Sequence, residues 1–247
     1  MPLVGSTLPK AGVCFTILNN FKGAVEAIES VKTNWPYKIY IADQWRHQLV
    51  LSAAWNELAS QAFDDGCEFA IICNDDILFS PETIDAMIDQ YLLLAEKEKV
   101  VMVTPLNIKG ELPDPYMILT HKRDTANAPT YSEHPNFSCF LIHRSYFDKI
   151  GTFDENFNPA WYEDNDAHRR IKLLGYKAIT TTAAPMIHFG GATTALLEIA
   201  DSSKSRAYYI RKWGGIPNSH PYDGVKEHFA TPYDDPALTP KDWVAGR

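Results

Sequence analysis

Three clusters of residues able to do chemistry stand at intervals along the chain: Asn74-Asp75-Asp76, Glu163-Asp164-Asn165-Asp166, and His188 followed by Phe189-Gly190-Gly191. The first follows an apolar run, Phe69-Ala70-Ile71-Ile72-Cys73, that reads as a buried strand. Carboxylates at the end of a buried strand are costly to desolvate unless something positive meets them. A divalent cation that also holds phosphate oxygens needs only one or two protein carboxylates. Asn and Asp are equally ordinary turn residues after a strand. The helix signal just beyond, Ser80 as cap and Pro81 in the first turn, favours a site over a plain turn.

The second cluster opens a helical stretch, Glu163 to Leu174, with Gly175 as its terminator. Acidic residues in a first turn also suit the helix dipole, which accounts for at least one of the three carboxylates. The preceding Phe153, Phe157, Trp161 and Tyr162 would hold this helix start against an aromatic wall. A carboxylate fixed there can take a proton from a hydroxyl. The helix N-terminus lowers its pKa, while burial and nearby phosphate raise it. His188 alone reads as a packed histidine. With two glycines after it, backbone can approach a bound group closely, and imidazole is a common metal ligand.

The elements that must position these groups follow from periodicity. Strands are expected at 13–18, 37–42, 68–73 and 100–104, the last stopped by Pro105. Helices are expected at 23–31, 49–63 and about 81–97. This alternation implies a mostly parallel, doubly wound α/β sheet with helices on both faces. Ligands then sit beyond the carboxyl ends of the strands. Asn19, Asp43 and Asn74-Asp75-Asp76 all fall at such ends, and Asp43 is placed to meet a nucleobase edge or to cap the next segment. The stretch 106–135 has no clean period and reads as a long surface connection. Strand character resumes at 137–143, a short helix ends at Gly151, and 178–182 reads as another strand. Residues 196–213 read as a helix ended by Gly214-Gly215, after which a tail with five prolines wraps over the body. Arg211-Lys212 near that helix end either places a cation by a diphosphate or simply complements the helix C-terminus.

The chain has 247 residues, 45% hydrophobic content and a formal charge of −8. It suits a globular protein with a substantial core. The charge weighs against loose, salt-driven binding to nucleic acid. No apolar run has the length of a membrane span and no signal peptide is evident, so a cytoplasmic location without integral membrane association is the expectation. Four cysteines lack metal-ligand spacing and read as reduced, buried residues. There is no phosphate-binding Gly-rich Lys loop, nucleophile elbow or His-Glu-x-x-His helix.

The run from Phe137 to Phe157, followed by Glu163-Asp164-Asn165-Asp166, Arg170 and Gly175-Tyr176, resembles the second half of family 2 glycosyltransferases, in particular rhamnosyltransferase-like members. The first half is similar through its strand ends and Asn74-Asp75-Asp76. The resemblance spans roughly Gly12 to Gly191. It implies a GT-A fold, with 1–200 as the catalytic domain, about 1–105 as its nucleotide-sugar half, 106–200 as its acceptor half, and 201–247 as a C-terminal helix and tail. It also implies a nucleotide-sugar donor, a divalent metal (Mn or Mg), and inversion at the anomeric carbon. Asp76 would be the metal carboxylate and His188 would complete the metal site. Asp164 would be the catalytic base. Asn19 and Asp43 would lie along the nucleotide, Asn74 or Asp75 near the ribose, Asn56 near the donor, and Lys212 near the diphosphate. Asn74 stands where the family's acidic motif usually begins with Asp. The run Arg211-Lys212-Trp213-Gly214-Gly215 is similar to bacteriophage-encoded members, for which the location would be the host cytoplasm. The acceptor would be a glycan or a hydroxylated DNA base. The alternatives are a nucleotidyltransferase on a similar sheet and a non-catalytic nucleotide-sugar-binding module.

Overall fold

Period-two alternation sorts the strand residues onto two faces of one sheet. In β1 (Lys10–Ile17), Val13, Phe15 and Ile17 point to one core and Cys14 to the other. In β3 (Cys67–Asn74), Phe69 and Ile71 share the first core while Ala70 and Ile72 join the second. Both faces are buried, which is why these strands read as continuous apolar runs. The computed structural model describes residues 10–44, 50–108, 112–121, 130–190 and 202–217.

The remaining strands are β2 (Tyr37–Asp43), β4 (Ile77–Phe79), β5 (Val100–Asn107), β6 (Tyr131–Ser132), β7 (Cys139–His143) and β8 (Lys177–His188). The sheet has 8 strands in the order β2-β1-β3-β7-β5-β8-β4, with β6 paired to β8. β1 pairs in parallel with β2 and β3, and β5 in parallel with β8. β7 is antiparallel to both β3 and β5 and joins the two parallel sets. Strands β1, β2, β3, β5 and β8 therefore run one way, so the sheet is mostly parallel in direction. Helices α1 (Phe21–Glu29) and α3 (Thr83–Leu94) cover one face. Helices α2 (Leu51–Asp64), α4 (Tyr146–Ile150) and α5 (Glu163–Leu173) cover the other. Helix α6 (Ser203–Trp213) packs on α5 through Phe157, Tyr208, Tyr209 and Trp213.

Several boundaries differ from the sequence reading. Pro105 does not stop β5, which continues to Asn107. The register shifts between Pro105 and Leu106, the kind of irregularity that lets a residue without N–H sit inside a sheet. β8 has 12 residues where a short strand is expected. Ser80 does not cap α3. It forms a turn closed by the Thr83 N–H on its carbonyl, and the helix begins at Thr83. The stretch 106–135 contains a 3-10 turn, Pro115–Thr120, capped by Asp114. Residues 196–201 of the expected last helix, Leu49, Gly191 and the tail beyond 217 lie outside the described residues.

Candidate active site

The carboxyl ends of β1, β2 and β3 lie level. Asp43 is opposite Ile17, and Thr16 is opposite Asn74. The next residues turn sharply: Asn19 takes a left-handed backbone, φ 60°, and Asn20 caps α1 by accepting from the Gly23 N–H at 3.2 Å. Asp75 ties these ends together. It is buried, its Oδ2 accepts from the Leu18 N–H at 2.9 Å, and its carbonyl accepts from Asn20 Nδ2 at 3.1 Å. Asp75 is thus a brace beneath the edge, and Asn19, Asp43 and Asn74 are half-buried polar residues at that edge.

Gly23 sits inside this brace. A Cβ there would lie 2.3 Å from Asn20 Nδ2 and 2.6 Å from the Asp75 carbonyl. The backbone oxygen cannot swing away. Gly23→Ala is expected to cost about 1–3 kcal/mol of stability, the scale of overpacking. Thermal unfolding reads it, and a wild-type Tm would show that the close approach at Gly23 does not constrain the edge.

Asp76 and His188 meet across β4 and β8, which pair antiparallel with Ile77 opposite His188. Asp76 Oδ1 lies 3.1 Å from His188 Nε2. The backbone holds both: the Phe189 N–H donates to the Asp76 carbonyl at 2.9 Å, and the His188 N–H donates to Asn107 Oδ1 at 3.3 Å. Asp76 is 5% exposed, and the His188 side chain is 22% exposed. A carboxylate and an imidazole, side by side at a partly open edge, fit one side of a divalent-metal site. Among the described residues no third His, Cys, Asp or Glu joins them, so other ligands would come from substrate and water.

Helix α5 carries the second cluster. Its C-terminal end turns at Gly175, φ 75°, into the start of β8, so its N-terminus lies at the carboxyl edge of the sheet. That topology puts Asp164 at the same edge as Asp76 and His188. Trp161 and Tyr162 both have left-handed backbone, φ 80° and 71°. Two successive non-glycine residues in that region store strain, and such strain is common at functional sites. Half-buried Asp164 accepts at Oδ1 from the Asn165 N–H at 2.7 Å and from Asn165 Nδ2 at 2.8 Å. Burial raises its pKa, and the Asn165 bonds oppose the rise. A carboxylate raised in this way is a better base than an exposed one.

Asn56 and Lys212 have other partners. Asn56 accepts from the Phe153 N–H at 2.8 Å and donates to the Phe153 carbonyl and Glu155, both at 2.8 Å. It ties α2 to the loop that leads to α5. Lys212 is buried between Asp154 and Asp166. Asp166 also accepts from Trp213 Nε1 at 2.8 Å and from Arg170 Nε at 2.9 Å. These residues form a buried clasp between α5 and α6, in place of the diphosphate contact expected for Lys212. Asn20, Asn107 and Asp154 were not foreseen. Of these only Asn20 carried a signal, an N-cap residue three before a glycine.

No family model matches the chain. A galactofuranosyl glycosyltransferase of Leishmania donovani is 31% identical over 80 residues, which is 32% of this chain and 18% of that protein. The crystal structure of GalNAc-T7 with UDP, GalNAc and Mn2+ superposes over 90% of this chain and 53% of that one, with TM-score 0.54 and 12% identity. The catalytic domain of Drosophila beta1,4galactosyltransferase 7 with xylobiose covers 74% of this chain and 71% of that one, with TM-score 0.49 and 12% identity. The chain spans about half the length of the GalNAc-T7 structure and under a fifth of the curated relative. A mixed sheet with β7 between two parallel sets, polar strand ends on one edge, and this superposition together give the chain a GT-A glycosyltransferase fold.

Proposed function

We propose that the chain is an inverting, metal-dependent glycosyltransferase that moves a sugar from a nucleotide-sugar donor to an acceptor hydroxyl. The observation that carries this reading is the Asp76–His188 pair on the same sheet edge as Asp164. The name of the partial relative supports sugar transfer.

In this reading Asn19, Asp43 and Asn74 line the nucleotide, whose base and ribose lie over the ends of β1, β2 and β3. Asp76 and His188 hold a divalent ion, Mn or Mg. Such an ion, when bound, neutralises charge on a departing diphosphate. Asp164 takes the proton of the acceptor hydroxyl. The acceptor oxygen bonds to the anomeric carbon from the opposite face as the bond to the diphosphate breaks, so configuration inverts. Trp161, 39% exposed just before Asp164, gives this edge an amphipathic aromatic surface. That favours a glycan acceptor over a DNA base, as does the net charge of −8.

The test is nucleoside diphosphate release from a panel of nucleotide sugars, with Mn, with Mg, and with chelator. Release with metal and loss with chelator is expected, whereas release of inorganic diphosphate from nucleoside triphosphates would replace this reading with nucleotidyl transfer. Asp76→Ala should lower metal-dependent donor affinity at least about 10-fold, the scale seen when even a supporting partner of a metal ligand is removed. Calorimetric titration of donor with metal present checks it.

A further inference from the structure

Neither proton transfer nor the helix clasp accounts for Glu163. It opens α5, is 6% exposed, and its Oε2 has no hydrogen-bond partner among the described residues. A buried ionised carboxylate needs a cation or several donors around it. The charges acting on Glu163 are those of Asp164 and Asp166 on its own helix, both repulsive, and burial outweighs the backbone N–H groups of Glu163 and Trp161 that favour the anion. The buried cations nearby in sequence and packing are engaged elsewhere. Lys212, from α6, lies between Asp154 and Asp166. Arg170 is held by Asp166 and the Ile150 carbonyl, and Arg169 lies 4.7 Å over the Trp213 ring. The core that α5 shares with α2, α4 and β7 is apolar.

We propose that Glu163 is a positioning residue for Asp164: it is carried as an uncharged acid, so that the adjacent pair presents one negative charge, on Asp164, to the acceptor. This rests on the assignment of Asp164 as the base. Burial, with the Asp164 charge adding to it, pushes the Glu163 carboxyl up to about 8. Below that pH the adjacent pair Glu163-Asp164 carries one charge, and Asp166 is neutralised by Lys212 and Arg170. Above it, a second anion beside Asp164 adds a negative charge at the edge where a donor diphosphate must bind, which weakens donor capture.

Thermal unfolding and steady-state transfer from pH 5 to pH 10 test this, using wild type, Glu163→Gln and Glu163→Met. The folded protein holds a proton on Glu163 that the unfolded chain releases near pH 4.3. Wild type should therefore lose Tm relative to both variants as pH rises from about 4.3 to about 8, after which the gap stops widening. Glu163→Gln should keep kcat/KM for the donor at pH 7 within about threefold and lose the alkaline decline that wild type shows above about pH 8. A Tm gap that is flat with pH would overturn the proposal whatever reaction the enzyme catalyses. A sloping gap with superimposable kcat/KM profiles would overturn the positioning role. Failure of the base assignment is read separately, by an Asp164→Asn variant that transfers sugar normally.

Discussion

Asp164→Asn should lower kcat by about 10²–10⁴-fold, the usual worth of a positioned general base, while leaving donor affinity within a few-fold. The substitution is nearly isosteric. The new amide oxygen can still accept from the Asn165 N–H, which is 2.7 Å from Oδ1 in the wild type. The first turn of α5 keeps its shape, because Asp166 and not Asp164 anchors it to α6. What disappears is a carboxylate whose basicity burial has raised. The wild-type acid limb should accordingly lie above the ordinary Asp range, with activity falling as the pH drops through it, since only the ionised form accepts a proton. Single-turnover transfer and donor titration on the same preparation separate the two effects. Normal turnover in the Asn variant would remove Asp164 from the chemistry. Lost donor binding would make it a structural or donor-contacting residue.

The strand ends were legible because their signal is local. An apolar run that stops at Asn or Asp reads the same in sequence and in space, so the ends of β1, β2 and β3 were placed within a residue or two. β4 was invisible because three residues carry no period, yet it supplies the pairing that sets Asp76 against His188. β8 runs on through Ala183-Ala184-Pro185 to His188, six residues past the expected end at Thr182, because proline and two alanines carry no strand signal. That β7 lies antiparallel between β3 and β5 is a matter of pairing between distant segments, and no local pattern reports it. Side-chain direction was the other blind spot. Three carboxylates in a first helical turn read alike, but Glu163 and Asp166 are buried and Asp164 is half-exposed. Asp75 and Asp76 are neighbours in a turn, and only the first braces Leu18.

Lys212 shows the same limit and gives the largest expected effect on stability. A lysine in a last helical turn before Gly214 reads as a diphosphate contact or as a partner of the helix dipole. In the fold its side chain is 1% exposed and its ammonium lies 2.7 Å from Asp166 Oδ1, with Asp154 on the other side. Lys212→Met keeps the volume and strips the charge, leaving Asp166 its ion pair with Arg170 and leaving Asp154 the neutral donors Tyr208 and Asn156. Removing one member of a buried ion network costs about 3–5 kcal/mol, a large part of the ~5–15 kcal/mol that holds a domain together. For a chain of this size that is a fall in Tm on the order of 10 °C. The acid response should change as well. Burial alone would raise the pKa of Asp154, but the charge and hydrogen bond of Lys212 outweigh it and bring the group to about 2. In wild type the stability from Asp154 is complete above its unfolded value near 3.9 and is lost as pH falls through about 2. Without Lys212 burial dominates, so the variant should unfold in acid at a higher pH than wild type. Because the clasp anchors the helix that begins with Glu163 and Asp164, turnover should fall with stability although Lys212 itself is buried against Asp154 and Asp166. Calorimetry at pH 7 and pH 4 measures the first two effects. An unchanged Tm at both would mean that α6 does not hold the base in place.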